Sequence, residues 1–517
     1  MKEKKEKLAR LNLDVLICIA SHLDITSISR LSQTSRFFLD FVESHGWKAH
    51  CMGRGISSHR DETISTRNST AIIRSISSSS ASSAFSPSAS FKLILQADKA
   101  WGTKTFRSYQ TRLPFATNPN GKVERQRPQP LLLFAPLGLF LFTGSEMRLW
   151  HKDLLQNLKP LQMKQAQVFY LTNPAGLDKQ TSNNGSSALW DICACTRLDH
   201  DGRHIAIGRL NGLVEIVKIS KSKNHSRQRG KMIVNLVWIW RDITCSTSIQ
   251  SMHASSSSGL LAIAGKNGNV ALFRLALKES NVQANLVEHW SVGSRPWSVW
   301  VEGSSWLAVG TNGSEPIILF PLEEQTCKTG YPIRLSTGRT KWTSVYAMQS
   351  RLIEGKCHLL AGCYDGTLRD YNVDLVLSRH YSAKSPPSEL LLPSSQYRDR
   401  FDPSAIYCLS AGVGQGGQDI AAGTARHGVC KFFRITAPLR EEESWSMFAA
   451  HPCESPTYSI VGQYNRLFGV TDAIFWQLDT RTAAVFSPPS DGRSDQKTMA
   501  FYRHGDMIID RTSWPSF

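Results

Sequence analysis

Leu261-Ala-Ile-Ala-Gly-Lys-Asn-Gly-Asn-Val-Ala-Leu-Phe273 reads as a complete β-hairpin. An apolar strand runs into Gly265, Lys266-Asn267-Gly268 forms a tight polar turn, and an alternating strand returns to an aromatic residue. Asn-Gly at the turn supplies the positive φ angles that a short hairpin demands. The same pattern recurs at Leu139–Trp150, Ile205–Val217, Leu307–Phe320, Leu359–Tyr371, Ile420–Phe432 and Leu467–Trp476, led by Gly144, Gly208, Gly310, Gly362, Gly423 and Gly469. A further apolar strand precedes most copies, as at Ala188–Cys195 and Thr343–Met348, and another follows several, as at Met232–Trp240. Each period therefore carries four strands.

Four strands in a period that approaches about 40 to 45 residues is the build of a propeller blade. Residues 91–517 resemble a degenerate WD-repeat β-propeller, a mainly β fold. The resemblance departs in detail: the Trp-Asp ending is replaced by Trp150-His151, Phe273-Arg274 and Tyr371-Asn372, and the Gly-His opening is missing. The side-chain network that those His and Asp residues build is accordingly in doubt. Seven hairpins favour seven blades. Strand-like stretches near Phe91–Leu113 and Thr498–Arg511 either close the ring or add an eighth. A large β-sandwich is the competing architecture.

Residues 11–51 have a different period. Leu13, Leu16, Ile17, Ile19, Ala20 and Leu23 recur at helical steps, Asp24 or Thr26 is placed to cap a second helix with Ile28 and Leu31, and Phe37, Phe38, Phe41 and Val42 mark a third. So short a unit exposes more apolar side chains than a monomer should, and wants a partner. Leu11, the Leu16/Ile19/Leu23 stripe, Leu23-Asp24, Ile28, Leu31, Arg36 and Trp47 resemble the F-box motif, with Asn12 in place of the usual Pro and Ser35 in place of a frequent Cys. The resemblance implies a small N-terminal all-α F-box domain that docks on a Skp-family adaptor through Leu11, Leu16, Ile19, Leu23, Ile28 and Leu31, and through the adaptor on a cullin. Residues 1–10 form a charged tail. Residues 52–90, dominated by serine in their second half, read as a flexible linker.

The chain has 517 residues, 60 Lys and Arg against 42 Asp and Glu, and a net charge of +18. No apolar run reaches the roughly 18 residues of a membrane-spanning helix, and no secretory signal is evident. The eleven cysteines follow no disulfide framework, so a reducing compartment, cytosol or nucleus, is expected. Cys193 and Cys195 read as structural thiols, because no second Cys/His pair stands at zinc spacing. No Walker loop, nucleophile elbow or His-Glu-x-x-His occurs. Gly412–Gly417 reads as a hairpin loop, and His200-Asp201 and His504-Gly-Asp506 as turns. Trp297-Ser-Val-Trp300 and Trp238-Ile-Trp240 read as bulky blade filler rather than a ligand cage. No cofactor, metal or catalytic role is expected.

Charge is more informative. Lys218–Lys231 is a basic insertion between the third and fourth strands of one blade, read as solvated, with nuclear import or nucleic-acid contact as the alternatives. Turns between second and third strands carry Arg209, Lys266 and Arg426, and connections between blades carry Arg295, Arg339, Lys341, Arg398 and Arg400. In a WD-type propeller both classes share the narrower face, where guanidinium groups suit an acidic or phosphorylated peptide. The expected function is the substrate-recognition subunit of a Skp-cullin-F-box ubiquitin ligase. A propeller scaffold outside a ligase and a nucleic-acid-associated protein are the alternatives, the latter disfavoured because no aromatic and basic residues interleave in an RNA-binding motif.

Overall fold

The computed structural model describes residues 13–22, 30–31, 33–42, 107–113 and 129–479, apart from 157–159, 172–190, 222–231, 242–246, 279–281, 339–341, 354, 383–387, 399–403, 414–418, 426–428, 435–443, 449–455, 464–465 and 473. The β strands form seven antiparallel sheets. Blade one comprises Leu131–Ala135, Gly138–Thr143, Glu146–His151 and Gln167–Tyr170. Blade two comprises Ile192–Arg197, His204–Arg209, Leu213–Lys221 and Met232–Arg241, and blade three Ile249–Ser255, Leu260–Gly265, Asn269–Leu277 and Val282–Ser291. Blade four has Ser298–Glu302, Trp306–Gly310, Ile317–Pro321 and Ile333–Leu335; blade five has Thr343–Ile353, Lys356–Cys363, Thr367–Asn372 and Ser395–Arg398. Blade six has Ile406–Val413, Asp419–Thr424, Val429–Arg434 and Ser444–Phe448.

Blade seven is completed from both ends of the body. Ser459–Gln463, Arg466–Val470 and Ile474–Asp479 supply its inner strands, and Arg107–Arg112 pairs with Ile474–Asp479 as the outermost. The ring therefore has seven blades, and the strand within Phe91–Leu113 closes it. The Thr498–Arg511 stretch lies outside the described residues.

All seven sequence hairpins are the second and third strands of a blade. The turn geometry differs from expectation in one respect. Gly212, Gly268 and Gly366 have φ of 80°, 99° and 76°, but the Asn211, Asn267 and Asp365 before them do not share the positive φ. Each glycine N–H closes a turn on the carbonyl three residues back, and the Asn or Asp side chain accepts the N–H two residues on. The acidic or amide residue thus works through its side chain, and only glycine takes the left-handed backbone.

Several lead glycines have a second role. A Cβ at Gly208 would lie 2.6 Å from Ile249 of the next blade, and one at Gly362 would lie 2.6 Å from Ile406 of the next. These strands approach the innermost strand of the following blade too closely for any side chain. The adjoining faces are filled by Ala206, Val214, Ile216, Ile263 and Phe273 between blades two and three, with Trp238 and Trp240 edge-on to Phe273. That pair is core filler, as expected.

The innermost strands do not pair, so their inward polar side chains bond across the gaps. Thr196 Oγ1 accepts from Ala254 N–H, Ser251 Oγ from Val299 N–H, Gln349 Oε1 from Ala411 N–H, Ser410 Oγ from Gly462 N–H and Ser459 Oγ from Leu132 N–H. In each case one blade accepts from the next, so among the described residues five of the seven junctions satisfy a backbone donor in this way; between blades four and five the sense differs, Ser298 Oγ donating to Val345 O.

The WD-type side-chain network is replaced by local pairs. His204 bonds Asp199 at 2.6 Å and His358 bonds Asp370 at 2.7 Å. Arg369 pairs with Asp365 at 2.7 Å and Arg466 with Asp479 at 2.8 Å. In the head, helix α1 (Leu13–His22) packs Leu16 and Ala20 against Phe38, Phe41 and Val42 of helix α2 (Arg36–Phe41) and its end, with Leu31 alongside. Ser35 caps α2 by accepting from Phe38 N–H.

Candidate functional site

In blades two, three, five and six the innermost strand slips by one residue against its neighbour. The extra residues are Cys193, Gln250, Tyr346 and Tyr407. A bulge of this kind re-aims a side chain at a sheet rim. In blades four and seven, Trp297 and Tyr458 occupy the same place, directly before the paired strand, and their N–H groups bond Gly310 O at 2.7 Å and Val470 O at 3.0 Å. One structural position thus carries Gln250, Trp297, Tyr346, Tyr407 and Tyr458 in five successive blades. It lies where the chain enters each innermost strand, on the face shared with the turns between second and third strands.

The rings touch in sequence around that rim. Trp297 and Tyr346 lie edge to face with centroids 4.9 Å apart, Tyr346 and Tyr407 stack at 5.0 Å, and Tyr407 and Tyr458 lie edge to face at 5.9 Å. Tyr364, in the blade-five turn and 51% exposed, stands 5.9 Å from Tyr346. Trp297, Tyr346, Tyr407 and Tyr458 are each half-buried. Trp297 donates its indole N–H to Asn312 Oδ1.

Charge borders the row at each end. The Arg295 guanidinium lies 3.8 Å over the Trp297 ring, a cation–π contact, and donates from Nε and Nη2 to Gln250 Oε1 at 3.2 and 2.6 Å. At the other end Tyr458 Oη donates to Asp472 at 3.3 Å. Burial pushes Tyr346 and Tyr407 above the ordinary phenol range, and neighbouring phenols add to it, so both remain protonated donors. Burial lowers Arg295 and raises Asp472, the latter against the hydrogen bond from Tyr458.

The structure redistributes the expected cationic ring. Arg209 is 1% exposed, ion-paired with Glu215 and bonded to Leu171 O at 2.9 Å. It is a buried strut of blade two, not a ligand-facing group, because its neighbour strand presents a carboxylate. Lys266 is exposed on the blade-three turn, Arg295 lies on Trp297, and Arg398 ends the outer strand of blade five. Arg339, Lys341, Arg400 and Arg426 lie outside the described residues. Trp297 and Trp300 part company: Trp297 belongs to the rim, whereas Trp300 packs against the core between blades four and five, as blade filler does, and also lines the axial cavity. The rim was legible as a motif that the sequence reading missed, an aromatic followed by a small residue at Trp297-Ser298, Tyr346-Ala347, Tyr407-Cys408 and Tyr458-Ser459.

A cavity of about 280 Å³ occupies the axis, walled by innermost strands of all seven blades. Within it the His253 ring stacks on Trp300 at 3.7 Å and its Nδ1 accepts from Val301 N–H at 3.1 Å. The Trp300 indole donates to Glu302 at 3.0 Å, and Ser350 Oγ also donates to Glu302. Burial lowers His253 to about 3, so the ring is neutral at physiological pH. Burial pushes Cys193 and Cys195 up to about 12, which leaves both thiols protonated. Among the described residues no group of three or more His, Cys, Asp or Glu is placed to hold a metal ion.

On the head, Leu16 is 3% exposed, packed in the small helical core rather than presented at the surface. Ile19 is 37% exposed and Leu31 half-buried; Leu11, Leu23 and Ile28 lie outside the described residues. Val15 on α1 and Phe37 and Leu39 on α2, not assigned to adaptor contact from sequence, are also exposed, at 44%, 46% and 41%. The model of the F-box domain matches residues 8–50. The chain carries an F-box domain. Behind the F-box domain, the propeller is similar to solved WD40-type structures. U3-55K and the RRP9 WD40 repeats are each 10% identical with a TM-score of 0.45, covering 72% of this chain and 98% and 97% of theirs. A chain of the mitotic checkpoint complex is 12% identical with the same TM-score, covering 72% of this chain and 97% of its own. No curated protein sequence matches the chain.

Proposed function

We propose that the protein is a substrate receptor of a Skp-cullin-F-box ubiquitin ligase. The F-box domain docks on a Skp-family adaptor, and the rim of the propeller holds the target. F-box and propeller proteins of this build typically act as non-catalytic adaptors, and the chain is read as one. The observation that carries the proposal is the joining in one chain of an F-box domain at residues 8–50, with unpartnered apolar residues on its helices, to a propeller whose rim presents an unbroken row of half-exposed rings. Rows of Tyr and Trp are the composition of protein-binding hot spots. A localisation in cytosol or nucleus accompanies the reading.

Affinity purification of the full chain from cells, with mass spectrometry, tests it. An adaptor and a cullin should copurify. Their absence, with the propeller folded, would leave the protein an assembly scaffold outside a ligase.

A further inference from the structure

The rim has properties that neither a packed core nor a cationic ring would have. Its four aromatic residues occupy one equivalent position in blades four to seven, yet each remains half-buried. They touch one another in sequence, and each keeps part of its surface toward solvent. The phenols of Tyr346, Tyr364 and Tyr407 supply donors, and among the described residues a cation held against the row, Arg295, sits at the blade-four end.

We infer that this row binds an extended, proline-bearing peptide segment in the polyproline II conformation, with an acidic side chain seated on Arg295. The inference rests on the receptor reading for its biological role, but not for its chemistry. Three observations select the occupant. First, polyproline II rises about 3.1 Å per residue with three residues per turn, so one turn spans two of the 4.9 and 5.0 Å ring spacings. Second, such a segment has no internal hydrogen bonds and, where proline replaces other residues, few N–H groups to satisfy. It therefore suits a face rich in phenol donors, the more so because burial keeps Tyr346 and Tyr407 protonated. Third, the Nε and Nη2 groups of Arg295 are both committed to Gln250 while Nη1 makes no bond to a described residue. The guanidinium is held in place and presents a positive edge beside Trp297, which an aspartate or glutamate of the peptide complements. Asp472, exposed beyond Tyr458, gives the opposite end a carboxylate, so a basic residue belongs there.

The test uses the full chain and fluorescein-labelled Glu-Pro-Pro-Leu-Pro-Pro-Arg, its reversed sequence, and analogues with every proline replaced by alanine or the glutamate by glutamine. Fluorescence polarisation is expected to show saturable binding of the proline peptide in one direction, about tenfold weaker for the alanine analogue. Tyr346→Ala with Tyr407→Ala should abolish binding. Tyr407→Phe, which keeps the ring, should lose only severalfold affinity, and Arg295→Gln should erase the preference for glutamate over glutamine. Melting curves identify any variant that fails to fold, and Tyr407→Phe with Arg295→Gln then carries the test. Equal binding of proline and alanine peptides, or unchanged binding by Tyr346→Ala with Tyr407→Ala, overturns the inference. Adaptor copurification from the same preparations separates the two readings: an adaptor without peptide binding sinks this inference alone, and peptide binding without an adaptor sinks the receptor role alone.

Discussion

Arg466 and Asp479 form an ion pair across two adjacent strands of blade seven at 2.8 Å, with both side chains almost wholly buried. The same guanidinium donates from Nη1 to Leu155 O, in the helical turn Lys152–Gln156 between the third and fourth strands of blade one, at 2.9 Å. Trp150 of blade one stacks on Phe475 of blade seven at 5.1 Å, and Leu132 N–H bonds Ser459 Oγ. These contacts cross the seam where the first and last blades meet. Asp479→Ala would leave a buried guanidinium without its counter-ion, which costs about 3–5 kcal/mol. The expected outcome is a large drop in the denaturation midpoint, read by urea titration. Asp201→Ala, at an exposed turn, should leave it within about 0.5 kcal/mol of wild type.

Gly362→Ala probes the contact between blades. The new Cβ would meet Ile406 of blade six at 2.6 Å, and neither a b-strand backbone nor a fully buried β-branched side chain yields cheaply. Overpacking of this kind costs about 1–3 kcal/mol. Calorimetry should show a lower melting temperature for Gly362→Ala, whereas Gly355→Ala should act only through its positive φ of 77°, having open space around it.

The architecture was legible because propellers write their turns into the sequence. Asn-Gly and Asp-Gly turns and the lead glycines are demanded by backbone geometry and by the approach of the next blade, so Gly208 and Gly362 mark periods that no side chain could fill. The rim was less legible. Tyr346 and Tyr407 occupy bulges, and a bulge breaks the two-residue alternation by which a strand's facing is read. Trp297 sits in no bulge but directly before its strand, where the alternation of Ser298–Glu302 does not extend to it, and was assigned to blade filler on its spacing from Trp300. Arg209 misled in the opposite direction: its turn position implied exposure, but Glu215 on the adjoining strand draws it inward. In the head, the helical period marked Leu13–His22 as a helix, but within its stripe Leu16 and Ala20 face the small core while Ile19, with Val15, faces outward.

His253 makes stability depend on pH. Its folded value of about 3, set by burial, lies below the ordinary histidine value, so the unfolded chain binds the proton more tightly. The stabilisation is complete above the unfolded value near 6.5 and is lost as pH falls toward 3. Two half-buried carboxylates add in the same direction at lower pH, below the ordinary Asp value: burial alone would raise Asp199 and Asp365, but bonds from His204, Thr367 and Arg369 outweigh it and hold both low. Other groups facing His253 include Arg197 and Glu302. The melting temperature should fall between pH 6.5 and 4. His253→Gln, whose amide oxygen can still accept from Val301 N–H, should flatten the upper part of that decline. An unchanged pH profile in this variant would show that His253 does not supply it.

Val15, Ile19 and Phe37 are exposed apolar residues on α1 and α2, and exposed apolar clusters on so small a unit mark an association surface. Leu16 and Phe38 fill the core beneath them. The two sets should therefore fail differently. Ile19→Asp with Phe37→Asp places charge on the outer surface without opening the core, so adaptor copurification should be lost while trypsin resistance of the head persists. Leu16→Ala removes a buried side chain, at a cost of about 2–5 kcal/mol, which a unit of this size cannot absorb. It should lose both adaptor binding and protease resistance. The propeller melting temperature should stay unchanged in both, because the mutated residues lie in the head cluster and none belongs to a blade. If Ile19→Asp with Phe37→Asp still retains the adaptor at wild-type yield, the exposed residues of these two helices are not the docking surface.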